Sequence, residues 1–120
     1  STGITVHLEV QAEQVDLEDI CATTAFRILQ ETLTNVVRHA RATRVKIALR
    51  VSAEALTLEV RDNGRGISAA EMASPRALGL LGSRERAIAC GGELAIAGVR
   101  GKGTTVSLSI PLRRADGAAK

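Results

Sequence analysis

At 120 residues and 12.6 kDa the chain is long enough for one domain that buries roughly two thirds of its unfolded surface, and too short for two. Apolar residues make up 45% of it, yet Phe26 is its single aromatic, so the core must come from Val, Ile, Leu and Ala, and the stacking platforms that single-stranded nucleic acids use are missing. The net charge of +3 is spread from Arg27 to Lys120 instead of gathered in one block, which fits solvated basic faces better than a nucleic-acid surface.

No apolar run approaches the ~20 residues that span a bilayer, and no signal-peptide pattern opens the chain. The start at Ser1, without a methionine, reads as a segment cut from something longer. Cys21 and Cys90 fall in separate helical stretches with no His or Cys near either in the chain, so a zinc site is not supported; buried free thiols in a reducing compartment are expected.

In chain order, the first element alternates Ile4, Val6, Leu8 and Val10 against Thr5, His7 and Glu9, which predicts a strand with the aliphatic residues inward. Residues 18–40 have the helical period instead. Steps of 100° place Ala22, Phe26, Leu29, Leu33, Val36, Val37 and Ala40 in one arc, predicted to face the core, and Thr24, Arg27, Glu31, Asn35 and Arg38 opposite them.

Two more strands follow, one with Val45, Ile47, Leu49 and Val51 inside, the next with Leu56, Leu58 and Val60. Between Ile67 and Gly79 the stretch "ISAAEMASPRALG" has small residues, Pro75 and no sustained period, which predicts a lid or surface loop. A shorter helix runs from about Leu80 to Cys90 and stops at Gly91-Gly92, where a left-handed cap fits. Leu94 and Ile96, then Val106, Leu108 and Ile110, mark the last two strands; the tail "RRADGAAK" is polar.

One polar face per strand implies a mixed, largely antiparallel sheet of about five strands. The helices then cover one face only, giving an α/β (α+β) two-layer sandwich.

The stretch "EVRDNGRGI" ends the third strand. Asp62 continues the parity of Leu56, Leu58 and Val60 and so points to the core side, where a carboxylate needs donors. It either caps the turn that follows or accepts a ligand N–H, with Gly64 and Gly66 clearing space for a flat ring. The spacing Gly64-x-Gly66-x-x-Ala69 also matches a dinucleotide fingerprint, but no apolar helix follows it directly. "GVRGKGTT" matches a Walker A loop only loosely, because Gly103 follows Lys102.

Glu31, Asn35 and Arg38 stand at i, i+4 and i+7. They form either a solvated helix face or a set suited to a magnesium nucleotide: a carboxylate as base, an amide oxygen for a hard cation, a guanidinium for phosphate. In "LGLLGSRERA", Gly79 and Gly82 let backbone N–H groups approach an anion at a helix entry. Thr104 shares the parity of Val106, Leu108 and Ile110, so its hydroxyl is expected on the same inner face as Asp62, held by backbone or by a ligand.

Taken in order, "FRILQETLTNVVRHARAT", "DNGRGI", "GLLGSRERAIACGGEL" and "GKGTTVSLSIPL" resemble the N box, the two glycine boxes and the closing Gly-Thr strand of the GHKL (Bergerat-fold) ATP-binding domains. The similarity is greatest to the catalytic domain of sensor histidine kinases of the nitrate-sensor and desaturase-sensor type, and runs from about Gly3 to Leu112. It implies residues 1–112 as the ATP-binding domain and 113–120 as a tail.

The resemblance further implies that Asp62 accepts the adenine amino group, that Thr104 shares a water on that edge, and that Gly64 and Gly66 open the pocket floor. Asn35 would bind Mg²⁺, Arg38 and His39 would lie near the phosphates, and the backbone from Gly79 through Leu80 to Gly82 would wrap them. Glu31 would orient or deprotonate the attacking group. Ser83 departs from the methionine usual there. The family's phosphoacceptor histidine lies on a preceding dimerisation helix, and neither His7 nor His39 fits that role.

The implied function is to bind Mg-ATP and, within a parent protein, to give the γ-phosphate to a histidine. The implied partners are ATP, the dimerisation and phosphoacceptor helices of the parent and a downstream response regulator, with no nucleic acid and no membrane contact by this segment, in the bacterial cytoplasm. Two other readings are an anti-sigma-type protein-serine kinase and a nucleotide-binding interaction module without catalysis.

Overall fold

A computed structural model of the chain describes residues 3–13, 18–68, 70 and 80–112, without the side chains of residues 39, 40, 80 and 81. The expected lid, apart from its first residues, and the polar tail lie outside the described residues.

The elements are β1 (Thr5–Ala12), α1 (Asp19–Asn35) continued by a single π-helical turn (Val36–Ala40), β2 (Arg44–Val51), β3 (Ala55–Asp62), α2 (Leu80–Ala89), β4 (Glu93–Val99) and β5 (Gly103–Pro111). The strands form one open sheet in the order β1-β2-β3-β5-β4. Only β1 and β2 run parallel; the other three pairings are antiparallel. The sheet is therefore mixed, as the alternation predicts.

Alternation holds best in the middle of the sheet. Leu56, Leu58, Val60 and Asp62 of β3 are buried, as are Val106, Leu108 and Ile110 of β5 and Val45 and Ile47 of β2. Helix α1 packs over β3 and β5, and α2 packs against α1 and β4. This arrangement leaves the far edge uncovered. Val6, Leu8 and Val10 pair with Val45, Ile47 and Leu49 and share their face, yet are 57%, 61% and 54% exposed. The strand is where the sequence puts it, but its burial is not, because no described helix lies over it.

The orientation of α1 needs a second correction. Its buried residues are Cys21, Thr24, Ile28 and Thr32, with Val36 in the π turn. Thr24 belongs to the arc expected to be solvated, whereas Phe26 and Val37, expected inside, are 59% and 57% exposed. The helix is turned because its hydroxyls are satisfied without water. Thr32 Oγ1 donates to the Ile28 carbonyl at 2.7 Å, so only its methyl needs a partner in the core. Thr24 Oγ1 accepts the Cys90 thiol at 3.3 Å, in the seam with α2.

Helix α2 ends as its glycines require. Gly91, at φ 76°, donates to the Ile88 carbonyl at 2.9 Å, and Gly92 donates to Ala87 at 2.8 Å, the paired bonds of a Schellman cap.

Candidate functional site

Strand register brings the chemistry to one end of the sheet. Asp62, the last residue of β3, lies opposite Val45 near the start of β2 and opposite Thr104 near the start of β5. Helix α1 delivers its C-terminal residues to that same end, because only Arg41 to Thr43 separate its π turn from β2. Helix α2 runs the other way. Cys90, just after it, touches Ile20 and Thr24 near the start of α1, so the helices are antiparallel and the first turn of α2, with Gly82, lies toward the Asp62 end.

Asp62 is 6% exposed, and its Oδ1 accepts the Gly64 N–H at 2.8 Å. Turn capping and ligand recognition are thus compatible readings, since a carboxylate has two acceptor oxygens and the turn takes one. Thr104 is half-buried on the neighbouring strand. Gly64 is buried and serves as the turn's donor.

Gly66 has a reason of its own. At φ 77° a Cβ would overlap the Val99 carbonyl oxygen, so the loop is pressed against the β4–β5 hairpin. Gly101 reinforces that contact by donating to the Arg65 carbonyl at 2.7 Å.

On α1, Glu31 and Asn35 follow Thr24 by seven and eleven residues and so share its flank, the one turned toward α2. Both are half-buried, and Arg38 is exposed. The flank expected to be either solvated or functional therefore faces the seam with α2 and runs toward the Asp62 end. The π turn carries His39 as backbone only, and Leu80 is described likewise. Gly79 lies outside the described residues. A π turn leaves its chain under-rotated, which separates Arg38 from the strict face of Glu31 and Asn35.

Two contributors escape the sequence reading. Asn63 fastens the turn to the start of β2: its Oδ1 accepts the Thr43 and Arg44 N–H groups at 2.9 Å each, and its Nδ2 donates to Thr43 Oγ1 at 2.9 Å. Gly103, at φ 121°, has no room for a Cβ beside the Asp62 carbonyl. The signal for Asn63 is its position directly after a strand and before glycine, where an Asx side chain bonds nearby backbone.

Among the described residues no three His, Cys, Asp or Glu side chains converge as a metal cage. None of their helices is long and apolar enough to cross a membrane.

Residues 22–114 match the family model described as "Histidine kinase-, DNA gyrase B-, and HSP90-like ATPase". The chain is 38% identical over 87 residues to the sensor histidine kinase LiaS of Bacillus subtilis, covering 72% of this chain and 24% of that protein. It is 37% identical over 113 residues to the signal transduction histidine-protein kinase/phosphatase UhpB of Salmonella typhimurium, covering 94% and 22% respectively. Among solved structures, the blue-light activated histidine kinase of Erythrobacter litoralis EL346 superposes with a TM-score of 0.68 at 33% identity over 90% of this chain and 36% of that one. The chain thus spans about a quarter of the length of these two relatives.

Proposed function

This chain belongs to the histidine kinase-, DNA gyrase B- and HSP90-like ATPase family, and we propose on that premise that it is the catalytic domain of a sensor histidine kinase. It binds Mg-ATP at the Asp62 end of the sheet and, in its parent protein, gives the γ-phosphate to a histidine of a dimerisation and phosphotransfer domain. A response regulator then takes the phosphoryl group. The reading places the nucleotide-binding unit at residues 1–112 and the domain on the cytoplasmic side, where ATP is.

The observation that carries this reading is the convergence of a buried carboxylate, Asp62, with Thr104 beside it, with the C-terminal end of α1 and with the first turn of α2, all at one end of the sheet. The Asp62 carboxylate accepts the adenine amino group while Gly64 holds it in place, and Thr104 shares a water on that edge. In this reading the seam between α1 and α2 leads from the base to the phosphates, which would meet Arg38 and the backbone of His39 on one side and the backbone at Leu80 and Gly82 on the other.

Asn35 would offer an amide oxygen to Mg²⁺, a hard cation that favours oxygen ligands. When bound, the ion neutralises the charge that builds on the transferred phosphoryl group. Glu31, half-buried on the same flank, orients the attacking group or takes its proton. Most of the catalysis comes from positioning and charge neutralisation.

The test is a titration with Mg-ATP followed by incubation with γ-labelled ATP, with and without a supplied acceptor-helix domain. Binding without appreciable self-labelling, and acid-labile phosphate on the added domain, is the expected result. Acid-stable phosphoserine would move the assignment to an anti-sigma-type kinase. Binding with no transfer to the acceptor would leave an interaction module.

A further inference from the structure

The fold joins two cysteines that lie far apart in the chain. Cys21 sits in the first turns of α1 and is 8% exposed; Cys90 follows α2 and is half-buried. The Cys90 Sγ donates to Thr24 Oγ1 at 3.3 Å and lies 3.7 Å from the Ile20 carbonyl oxygen. Ile20 adjoins Cys21 and Thr24 is one turn on, so the Cys90 sulfur lies against the turn that bears Cys21. Burial first, then a side-chain hydrogen bond with Cys90, hold the Cys21 thiol protonated. The nucleotide reading uses neither thiol.

We propose that Cys21 and Cys90 are an oxidation site, converted by a hydroperoxide into a disulfide that fastens α1 to α2. Cys90, the more accessible thiol, attacks the peroxide: its sulfur takes one oxygen as the O–O bond breaks, giving a sulfenic acid and releasing an alcohol or water. The Cys21 sulfur then displaces that oxygen, forming the S–S bond and releasing water with the thiol proton. Two thiols lose two electrons and two protons, and the peroxide takes up both. The low thiolate fraction of Cys21 slows the second step, so the sulfenic acid on Cys90 persists for a time before the disulfide closes.

The link would join the start of α1 to the end of α2, at the end of their seam away from Asp62. It closes a long loop of chain, so its main effect is on the unfolded ensemble.

The experiment treats the whole chain with hydrogen peroxide, blocks residual thiols with an alkylating agent, and maps peptides with and without dithiothreitol. The proposal expects a dithiothreitol-sensitive peptide pair joining Cys21 to Cys90 within one chain, and a melting temperature raised by roughly 10 °C on oxidation. Cys21→Ser and Cys90→Ser would each abolish both changes, and folding of each variant is checked by its own melting curve. Sulfinic acid on Cys90 with Cys21 still alkylatable, or disulfides only between chains, would overturn it. No nucleotide is present, so the outcome is independent of the proposed function.

Discussion

Thr104 stands directly across from Asp62 in the β3–β5 ladder, and the Asp62 carbonyl oxygen fills the space where the neighbouring Gly103 would carry a Cβ. The turn that presents the Asp62 carboxylate is therefore clamped from two sides, by Gly103 here and by the Val99 carbonyl over Gly66. Gly66→Ala and Gly103→Ala each combine a strained positive φ with a backbone clash and should lower unfolding free energy by about 2–4 kcal/mol in urea titrations. Gly91→Ala is the control. It has the same sign of φ but nothing within 4 Å, and should cost only about 1 kcal/mol.

Asn63 holds the other side of the turn. Asn63→Ala removes three exposed hydrogen bonds to Thr43 and Arg44 and should cost about 1–2 kcal/mol. Hydrogen exchange gives the sharper check: the Thr43 and Arg44 amides should lose protection while the Gly64 amide, held by Asp62, keeps it.

The turned face of α1 makes a prediction opposite to the helical-wheel reading. Ile28 is 1% exposed, so Ile28→Ala should destabilise the domain by about 2–5 kcal/mol. Phe26 is 59% exposed, and Phe26→Ala should cost less than about 1 kcal/mol despite removing the larger side chain. Equal losses for the two would place Phe26 in the core after all.

That contrast marks how far the sequence reaches. Strand parity locates Leu56, Leu58, Val60 and Asp62 on one buried face because each side of a strand is fixed by backbone geometry alone. Helix ends are legible for a similar reason, as Gly91-Gly92 demonstrates. Which flank of α1 meets the sheet depends on where the helix lies across the strands, and a threonine whose hydroxyl bonds its own helix is a small apolar residue that polarity scales misplace. The exposure of Val6, Leu8 and Val10 is equally invisible, since alternation reports a shared face and not whether anything covers it. In the candidate site, Asp62 and Thr104 are readable from parity, whereas Asn63 and Gly103 become visible only with the tertiary contacts they make.

Cys21 gives the domain a pH dependence on the alkaline side. Burial, with the Cys90 hydrogen bond adding to it, pushes its thiol from 9.0 up to about 11. The folded state therefore holds a proton that the unfolded chain releases between these values. Stability from this group is intact below pH 9 and declines as pH rises toward 11, with a limiting slope of about 1.4 kcal/mol per pH unit. Denaturant titrations of the reduced protein at pH 8, 9 and 10, compared with Cys21→Ala, check this. The variant should lack the part of the alkaline decline due to this thiol.

The account rests most directly on Asp62 as the group that recognises the adenine. Asp62→Asn keeps an acceptor oxygen for the Gly64 N–H, so the turn and the fold survive, with an unfolding free energy within about 1 kcal/mol of the original. It replaces the other carboxylate oxygen with an NH₂ donor that opposes the adenine amino group. Calorimetric titration of both proteins with Mg-ATP is the decisive measurement. The account predicts binding to the original chain and an affinity at least about tenfold weaker for the variant, a loss of roughly 1.4 kcal/mol. Equal affinity for the two folded proteins would contradict it.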